Sequence, residues 1–256
     1  MAIKERERPT FMKEMNTMTT SYTEKVKRIR STSLIAYWPL DENSGTVAWD
    51  WGKNAYNATS SGVVPADKVV YGKDGGPCYK FDGSASYVDI YAALAGAIDT
   101  VGTGSIWFAC EDNVLNGTTL RRIFTMSADA NNAVLIEKTA VANTFRLAYI
   151  AGGTTKSVSP VIYEPGLSDM GKNWHHLAMT LSATADEAKV YVDGAQSGST
   201  LTSLGTWSGA VASDKFVLGS ASTTAANVWL GWLQHMALWS VVLSADEIAD
   251  LAQIGP

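Results

Sequence analysis

Short β-rich segments separated by turn-forming residues recur through most of this 256-residue chain, and they constrain its fold more than any other feature. The first, Leu34–Leu40, ends at a cluster of polar turn formers at residues 41–45. Asp82-Gly83 and Asp193-Gly194 are typical of tight hairpins, because glycine tolerates the positive φ that such turns need. Strands that recur about every 8–12 residues predict an all-β antiparallel sandwich or jelly roll.

The same reasoning predicts the other elements of the domain. Further strands are expected at Cys78–Phe81, Tyr87–Ile90, Gly104–Glu111, Arg122–Met126, Ala133–Lys138, Phe145–Ile150, Thr155–Val161, Trp174–Ser182, Lys189–Val192, Lys215–Gly219 and Val228–Trp239. A capping box that begins at Ser244 and ends at Glu247 predicts a short C-terminal helix, with Ile248 and Leu251 on its apolar face.

Charge is distributed unevenly along the chain. Residues 1–30 contain eight Lys or Arg and four Glu, a net charge of +4. The whole chain has 20 basic and 25 acidic residues, so residues 31–256 have 12 and 21, a net charge of −9. This contrast predicts that the basic segment contacts a partner that the acidic body does not. A protein partner is favoured over nucleic acid, because glutamates alternate with the basic residues.

A second capping box, from Ser21 to Glu24, predicts a helix over residues 21–30. A helix this short is not stable alone in water, so its apolar stripe must dock on something. We therefore predict that residues 1–33 form an extended anchoring arm and that residues 34–256 form the domain. The predicted partner contacts of the arm are Phe11, Met12, Met15, Tyr22, Val26, Ile29, Arg28 and Arg30. Clamping by such arms predicts a homo-oligomer, with a trimer favoured.

Compartment signals are few. Residues 1–20 contain no apolar core of the kind that a secretory signal needs, and no stretch approaches about 18 uninterrupted apolar residues. Cys78 and Cys110 are too few for a disulfide framework and are predicted to be reduced and buried. We expect synthesis in a cytoplasm, with no membrane partner.

Four groups of motifs resemble the LamG-like (laminin G type 3) jelly rolls of the concanavalin A-like lectin/glucanase superfamily. In chain order they are LIAYWPLDENSGT at 34–46 with Asp50, FDG at 81–83 with YVDI at 87–90, WHHLAMT at 174–180 with VYVDG at 190–194, and GWL at 231–233 with LSADEI at 243–248. Together they span residues 34–248. The resemblance implies a concanavalin A-like jelly roll.

The segment that leads into the first strand resembles LamG-like proteins of tailed bacteriophages, because a Tyr-x-x-Lys-Val run (Tyr22–Val26) closely precedes Leu34. The resemblance implies a virion protein: a capsid decoration or head/tail-associated structural protein, located in the virion. Other virion proteins, a major capsid or tail protein, would then be the partners of the arm.

Catalytic chemistry is not expected. His175 and His176 are adjacent on a predicted strand and so point to opposite faces. Glucanases of the superfamily that this chain resembles place two glutamates and an aspartate on one strand, and no predicted strand here has that arrangement. Acidic neighbours instead lie in a hairpin loop, at a strand end and in the last helix, while Glu137 is isolated. The sequence therefore predicts a protein that is not an enzyme.

Two kinds of ligand site remain as candidates. Calcium is plausible in the superfamily, and Asp41, Glu42 and Asp50 lie in suitable turns. Gln234 stands where the family usually has an acidic residue, which removes one expected ligand. No other cofactor is implied.

Exposed tryptophans are the second candidate, because an indole face can stack on a sugar ring. Trp49, Trp51, Trp207 and Trp229 lie near predicted turns, whereas Trp38, Trp107 and Trp174 occupy core positions of strands. Two functions stay open: a non-catalytic virion structural protein that displays a lectin-like jelly roll, and a carbohydrate-binding lectin or receptor-binding module. An exposed aromatic patch would favour the second.

Overall fold

A computed structural model describes residues 21–65, 72–94, 102–111, 114–162 and 173–254. Its helices are α1 (Tyr22–Arg28), α2 (Tyr91–Leu94) and α3 (Ala245–Leu251). Its strands are β1 (Leu34–Trp38), β2 (Val47–Ala48), β3 (Ala58–Ser61), β4 (Val64–Pro65), β5 (Tyr79–Asp82), β6 (Tyr87–Asp89), β7 (Thr103–Cys110), β8 (Arg121–Asp129), β9 (Asn132–Lys138), β10 (Phe145–Ala151), β11 (Thr154–Val158), β12 (His175–Ser182), β13 (Glu187–Val192), β14 (Ala195–Thr202), β15 (Phe216–Leu218) and β16 (Leu230–Trp239). No described helix is long and apolar enough to cross a membrane.

The strands form two eight-stranded antiparallel sheets. The first sheet has the order β14-β13-β12-β7-β16-β5-β4, and β1 also pairs with β16. The second has the order β11-β10-β9-β8-β15-β6-β3-β2. Hairpin-connected neighbours in each sheet alternate with neighbours that are distant in sequence, such as β7 and β16 or β8 and β15, as in a jelly roll. The all-β jelly-roll prediction is confirmed.

The main core lies between the two sheets and is dominated by aromatic side chains. Phe108 of the first sheet packs against Phe145 of the second, with ring centroids 5.0 Å apart. Trp229 contacts both rings, at 5.7 Å from Phe108 and 6.4 Å from Phe145. Tilted and edge-on pairs of this kind add to the hydrophobic gain of burying large rings. These contacts hold the two sheets together.

The other face of the first sheet is also covered. A second hydrophobic cluster, here called the outer cluster, lies on this face beneath α1 and α3. Its members are Tyr22, Val26, Ile29, Leu34, Tyr37, Trp107, Ala178, Tyr191, Ala237, Trp239, Leu243, Ile248 and Leu251. Because both faces are covered, nine of the ten residues of β16 are buried instead of alternating.

Helix α1 docks on its own domain through its apolar stripe. The Tyr22 hydroxyl donates to the Leu251 carbonyl at 2.9 Å and accepts from Trp107 Nε1 at 2.9 Å. At the other end of the helix, Trp239 Nε1 donates to the Ile29 carbonyl at 2.9 Å. The buried aromatic groups are therefore both packed and hydrogen-bonded, which fixes the position of the helix.

Polar contacts join α1 to α3. The ammonium of Lys25, which is buried, lies 3.0 Å from Asp250 Oδ1 and donates to the carbonyls of Asp250 and Gln253. Arg30 Nε pairs with Glu247 Oε1 at 2.5 Å. A buried cation is tolerated only when it is paired, and here the last carbonyls of a helix supply the acceptors.

These contacts correct the predicted arm. Tyr22, Val26 and Ile29 were expected to contact a partner, but they are buried within this chain. Arg30 pairs with Glu247 of the same domain, so it too has an internal role. Helix α1 therefore belongs to the sandwich, and the predicted boundary at residues 33–34 is wrong. Phe11, Met12 and Met15 lie outside the described residues.

Local predictions were accurate where the pattern was apolar. The two capping serines are observed, although only Ser244 forms the complete box; Ser21 accepts from the Glu24 amide, while the Glu24 carboxylate pairs with Lys27. The two cysteines form no disulfide and are buried, as expected. Strands β2, β3, β4 and β14 and helix α2 were missed. Strand β14 is polar and largely exposed, so it carries no hydrophobic alternation.

We predict that Tyr22→Ala lowers the free energy of unfolding by about 3–5 kcal/mol, because it leaves a cavity in the outer cluster and removes two buried hydrogen bonds. Urea denaturation measures the change. The control is Lys27→Ala, whose exposed side chain pairs with Glu24; it should change stability by less than about 0.5 kcal/mol. A Tyr22→Ala effect as small as the control would mean that α1 does not stabilise the domain.

Candidate ligand-binding surface

Two exposed tryptophans, Trp49 and Trp51, lie on the loop that follows β2. The side chains of Trp49 and Trp51 are 53% and 48% exposed, while Asp50 between them is buried. In extended backbone, residues i and i+2 point to the same side and residue i+1 to the other. Since Asp50 points inward, both indoles face solvent. No other aromatic residue in the described part of the chain is exposed to this degree.

Asp50 fixes the backbone beneath this pair. Its carboxylate accepts three backbone N–H groups, from Tyr37 at 2.8 Å, Gly52 at 2.7 Å and Tyr56 at 2.8 Å. Trp51 N–H donates to the Tyr37 carbonyl at 2.7 Å, which ties the loop to β1. Gly52 is required for close approach, because an added Cβ would lie 2.9 Å from Asp50 Oδ1.

Two further side chains hold the start of the loop. Glu42 Oε1 accepts from the Trp49 amide at 2.6 Å, and Asn57 Oδ1 accepts from the Asp50 amide at 3.0 Å. Hydrogen bonds to a carboxylate are stronger than neutral ones. The tryptophans are thus presented by a rigid backbone, so binding would not have to order the loop.

The other two candidate tryptophans do not join this surface. Trp229 is fully buried in the main core, so its assignment to sugar binding is wrong. The turn signals near it were misleading because β16 begins directly after it. Trp207 is half-buried, stacks near Tyr149 with centroids 6.1 Å apart and donates to the Gly209 carbonyl at 3.0 Å. The indole of Trp207 is therefore engaged mainly in contacts within the domain.

The calcium prediction fails at Asp50. Calcium requires six to eight oxygen ligands, but both oxygens of Asp50 already accept N–H groups. One carboxylate oxygen of Glu42 likewise accepts a hydrogen bond from the Trp49 amide. Among the residues that the structure describes, no cluster of three or more His, Cys, Asp or Glu is arranged to hold a metal.

Gln234, which stands where the family usually has an acidic residue, is the centre of a hydrogen-bond network. Its amide nitrogen donates to Asp74 Oδ1 at 2.8 Å and to the Pro77 carbonyl at 3.0 Å. Its amide oxygen accepts from the Lys73 backbone at 2.7 Å. The side chain thus links Asp74, Pro77 and Lys73. This network was not predicted from the sequence, although the replaced acidic residue was its signal.

The paired histidines have structural roles. His175 contacts Phe108 of the main core, and His176 contacts Trp107 of the outer cluster, so they do point to opposite faces. His175 Nδ1 lies 2.8 Å from Asp193 Oδ2. Burial lowers the pKa of His176 to about 3, which keeps this imidazole neutral near pH 7.

Asp41, beside Glu42, is a partly buried carboxylate whose charged form is disfavoured. Burial and then the charges of Glu42 and Asp74 raise the pKa of Asp41 from 3.8 to about 6. The folded protein therefore binds this proton more tightly than the unfolded chain does. Its contribution to stability is present below pH 3.8 and is lost as the pH rises through 6.

We predict that Asp41→Asn stabilises the protein by about 1 kcal/mol at pH 8 and by almost nothing at pH 4. The full shift would correspond to about 3 kcal/mol, which partial exposure reduces. Urea unfolding at both pH values checks this. The control is Asp246→Asn, an exposed carboxylate at the start of α3, which should not stabilise the protein at pH 8. A gain that is equal at both pH values would contradict the prediction.

Comparison with solved structures places this architecture among binding and enzyme-associated domains. Domain 4 of the extracellular arabinanase AbnA of Geobacillus stearothermophilus, solved in complex with arabinotriose, superimposes with a TM-score of 0.60 at 18% identity, covering 86% of this chain and 98% of that one. The receptor-binding domain of botulinum neurotoxin mosaic serotype C/D gives 0.62 at 15% identity, covering 86% of this chain and 50% of that one. Trypanosoma rangeli sialidase gives 0.56 at 11% identity, covering 86% and 32%.

The chain thus spans about half of the toxin domain and a third of the sialidase. At these identities the likeness concerns the fold, which enzymes and binding domains share. A search of curated proteins gives no match. A family model for laminin G type 3 domains, described as the concanavalin A-like lectin/glucanases superfamily, matches residues 82–249. The match covers more than half of the sequence, and the chain therefore belongs to this family of concanavalin A-like domains.

Proposed function

We propose that this protein is a non-catalytic carbohydrate-binding module whose ligand stacks on Trp49 and Trp51. The observation that supports this most is the pair of exposed indoles on a hydrogen-bonded, preformed loop. Exposed aromatic patches of this kind are rare on soluble domains unless they bind something. A pyranose or furanose ring presents C–H groups that pack on an indole face and hydroxyls that remain hydrated.

The spacing of the two indoles suits an oligosaccharide. Residues two apart in extended backbone are separated by about 7 Å at most. Trp49 and Trp51 can therefore contact one large ring or two neighbouring rings. Because the loop is held by charged hydrogen bonds, little conformational entropy is lost on binding. The arabinotriose bound by the similar arabinanase domain makes a neutral oligosaccharide the natural first probe.

The absence of catalysis is part of the proposal. Carboxylates that were considered as catalytic are already engaged: Asp186 accepts the amides of Ser203 and Leu204, and Glu137 is paired with two arginines. Retaining glycosidases need two carboxyls about 5–5.5 Å apart at the ligand. Occupied carboxylates of this kind are poor candidates for that role, which supports binding without hydrolysis.

A second candidate function is display on a bacteriophage virion, as a capsid decoration or head/tail-associated protein. The observation that favours it is the net charge of +4 in residues 1–30 against −9 in residues 31–256, which indicates that the N-terminal segment has a contact of its own. In this function, another virion protein would contact the N-terminal segment through Phe11, Met12 and Met15. The two functions are compatible, since an attached module can also bind a surface glycan.

We predict that Trp49→Ala and Trp51→Ala each weaken saccharide binding at least tenfold, because each removes about 1.5–3 kcal/mol of buried apolar contact. Titration calorimetry with the best ligand from a panel of arabinotriose, xylotetraose and cellotetraose measures the change. Trp207→Phe is the matched control and should bind normally. If no neutral or acidic saccharide on a glycan array binds the native protein, the carbohydrate-binding function is wrong.

We predict that a chain starting at Ser21 folds as a monomer, whereas the full-length chain forms oligomers or binds virion proteins through residues 1–20. Light scattering and urea denaturation of both chains test this. A chain starting at Ser33 is the informative control, because it loses Tyr22, Val26 and Ile29 and should be strongly destabilised. Identical association of the full-length and Ser21 chains would rule out the attachment function.

A further inference from the structure

A groove on the outer face of the second sheet is separate from the tryptophan surface. Its described lining includes Arg122 and Thr125 of β8, Leu135 of β9, and Arg146 and Ile150 of β10, and its volume is about 480 Å³. Four strand steps along the sheet order separate β8 from β2, which precedes Trp49. At about 4.8 Å a step, the two surfaces lie roughly 20 Å apart.

Strand register brings three charged residues together in this groove. Arg122 of β8 lies opposite Glu137 of β9, and Glu137 lies opposite Arg146 of β10. The alternate residues Ile136 and Leu147 face the main core, so Glu137 and Arg146 face outward. Glu137 is isolated in the sequence, and only the pairing of β8, β9 and β10 brings it between two arginines.

The carboxylate is buried between the two guanidinium groups. Arg146 reaches Glu137 Oε1 with Nε at 2.6 Å and Nη2 at 2.5 Å. Arg122 Nε lies 2.7 Å from Glu137 Oε2, in ion-pair range but outside hydrogen-bond geometry. Glu137 is 1% exposed, whereas the side chains of Arg122 and Arg146 are 15% and 34% exposed. Solvent therefore meets the arginines and not the carboxylate.

Most of the side-chain N–H groups of Arg122 and Arg146 have no hydrogen-bond acceptor among the described residues. Each guanidinium has five N–H groups in a rigid fork that matches a carboxylate. Within the part of the chain that the structure describes, Glu137 is the only partner of both side-chain groups. Burying a charged triad has a large desolvation cost, and packing alone does not require it. Its effect is to hold two arginines in fixed positions beside an open groove.

The rest of the groove is amphipathic. Ala133, Leu135 and Ile150 form an apolar floor, and Leu135 and Ala133 belong to a small hydrophobic cluster of their own. The hydroxyls of Thr125 and Ser127 donate to the backbone carbonyls of Ser220 and Asp129, so their lone pairs remain as acceptors. Asp129 also lines the groove, and its Oδ1 accepts from the Asn131 amide and from Asn132 Nδ2. Apolar surface, hydroxyl acceptors and the cationic end formed by Arg122 and Arg146 together match a sugar ring that carries an acidic group.

The overall charge excludes long polyanions as the preferred ligand. Residues 31–256 have a net charge of −9, so the body as a whole repels a nucleic acid or an extended acidic polymer. Lys215, at the groove, is offset by Asp214 at 3.2 Å. The attraction is therefore local, confined to the two guanidinium groups, and fits a single carboxylate.

We propose that this groove is a second binding site, which takes a carboxylate-bearing saccharide through Arg122 and Arg146. Glu137 acts as a positioning residue that orients both guanidinium groups. The site does not depend on Trp49 and Trp51, and it would select acidic sugars where that surface selects neutral ones.

The test is calorimetric titration of the full-length protein, at about 0.15 M salt, with trigalacturonate, 3′-sialyllactose and the neutral galactose trimer. We expect at least one carboxylated probe to bind at least tenfold more tightly than the neutral trimer. Arg146→Lys keeps the charge but loses the fork and should weaken this binding at least fivefold. Ala130→Trp, at an exposed position lining the groove, should also block it without touching the triad.

Controls separate this site from the first. Lys189→Gln removes one positive charge from the first sheet and should leave acidic binding unchanged, as should Trp49→Ala. Urea midpoints confirm that each variant is folded. Failure of both carboxylated probes, equal binding of the neutral trimer, or binding unaffected by Arg146→Lys and Ala130→Trp would overturn the proposal and leave the triad a structural ion cluster. Equally tight competition by inorganic sulfate would overturn the selectivity for carboxylates.

Discussion

The burial of the first sheet on both faces is the constraint on which the rest of the structure depends. Strand β16 supplies Leu233 to the main core and Trp239 to the outer cluster. Without α1 and α3, the second face would expose a large apolar area that includes Trp107 and Trp239. At about 25 cal/mol per Å², such exposure would cost several kcal/mol. The sandwich is therefore complete only when both terminal helices are docked.

Docking of the two helices joins the first described helix to the last one. Lys25 of α1 binds carbonyls at the end of α3, and the Tyr22 hydroxyl donates to Leu251. These polar bonds have direction, whereas the hydrophobic contacts around them do not, so they set the position of α1 on the sheet. An attachment segment that precedes Ser21 would be joined to a rigid body. Force or crowding on that segment would act on the whole domain and not on a loose helix.

The sequence predicted the fold well and the site only in part, for physical reasons. Apolar strands and capping boxes are local patterns, so β7, β12, β16 and α3 were recognisable from their own residues. The apolar stripe of α1 was also correctly predicted to need a surface to pack against. Periodicity alone does not show whether that surface belongs to the same chain or to a partner. Asp50 was predicted as a calcium ligand because it is acidic. Only the folded loop shows that its carboxylate accepts hydrogen bonds from the backbone N–H groups of Tyr37 and Tyr56. Arg122, Glu137 and Arg146 are brought together by strand pairing alone.

The arrangement of the surfaces has a consequence for how the module would work. Helix α1 covers the outer face of the first sheet, whereas the groove lies on the outer face of the second, and the tryptophan loop follows β2 at its edge. A partner attached through residues before Ser21 would approach from the side of the first sheet. The groove on the second sheet would then stay accessible on the far side. Two weak sites about 20 Å apart on one rigid body can reach different parts of the same glycan, and their combined affinity would exceed that of either one.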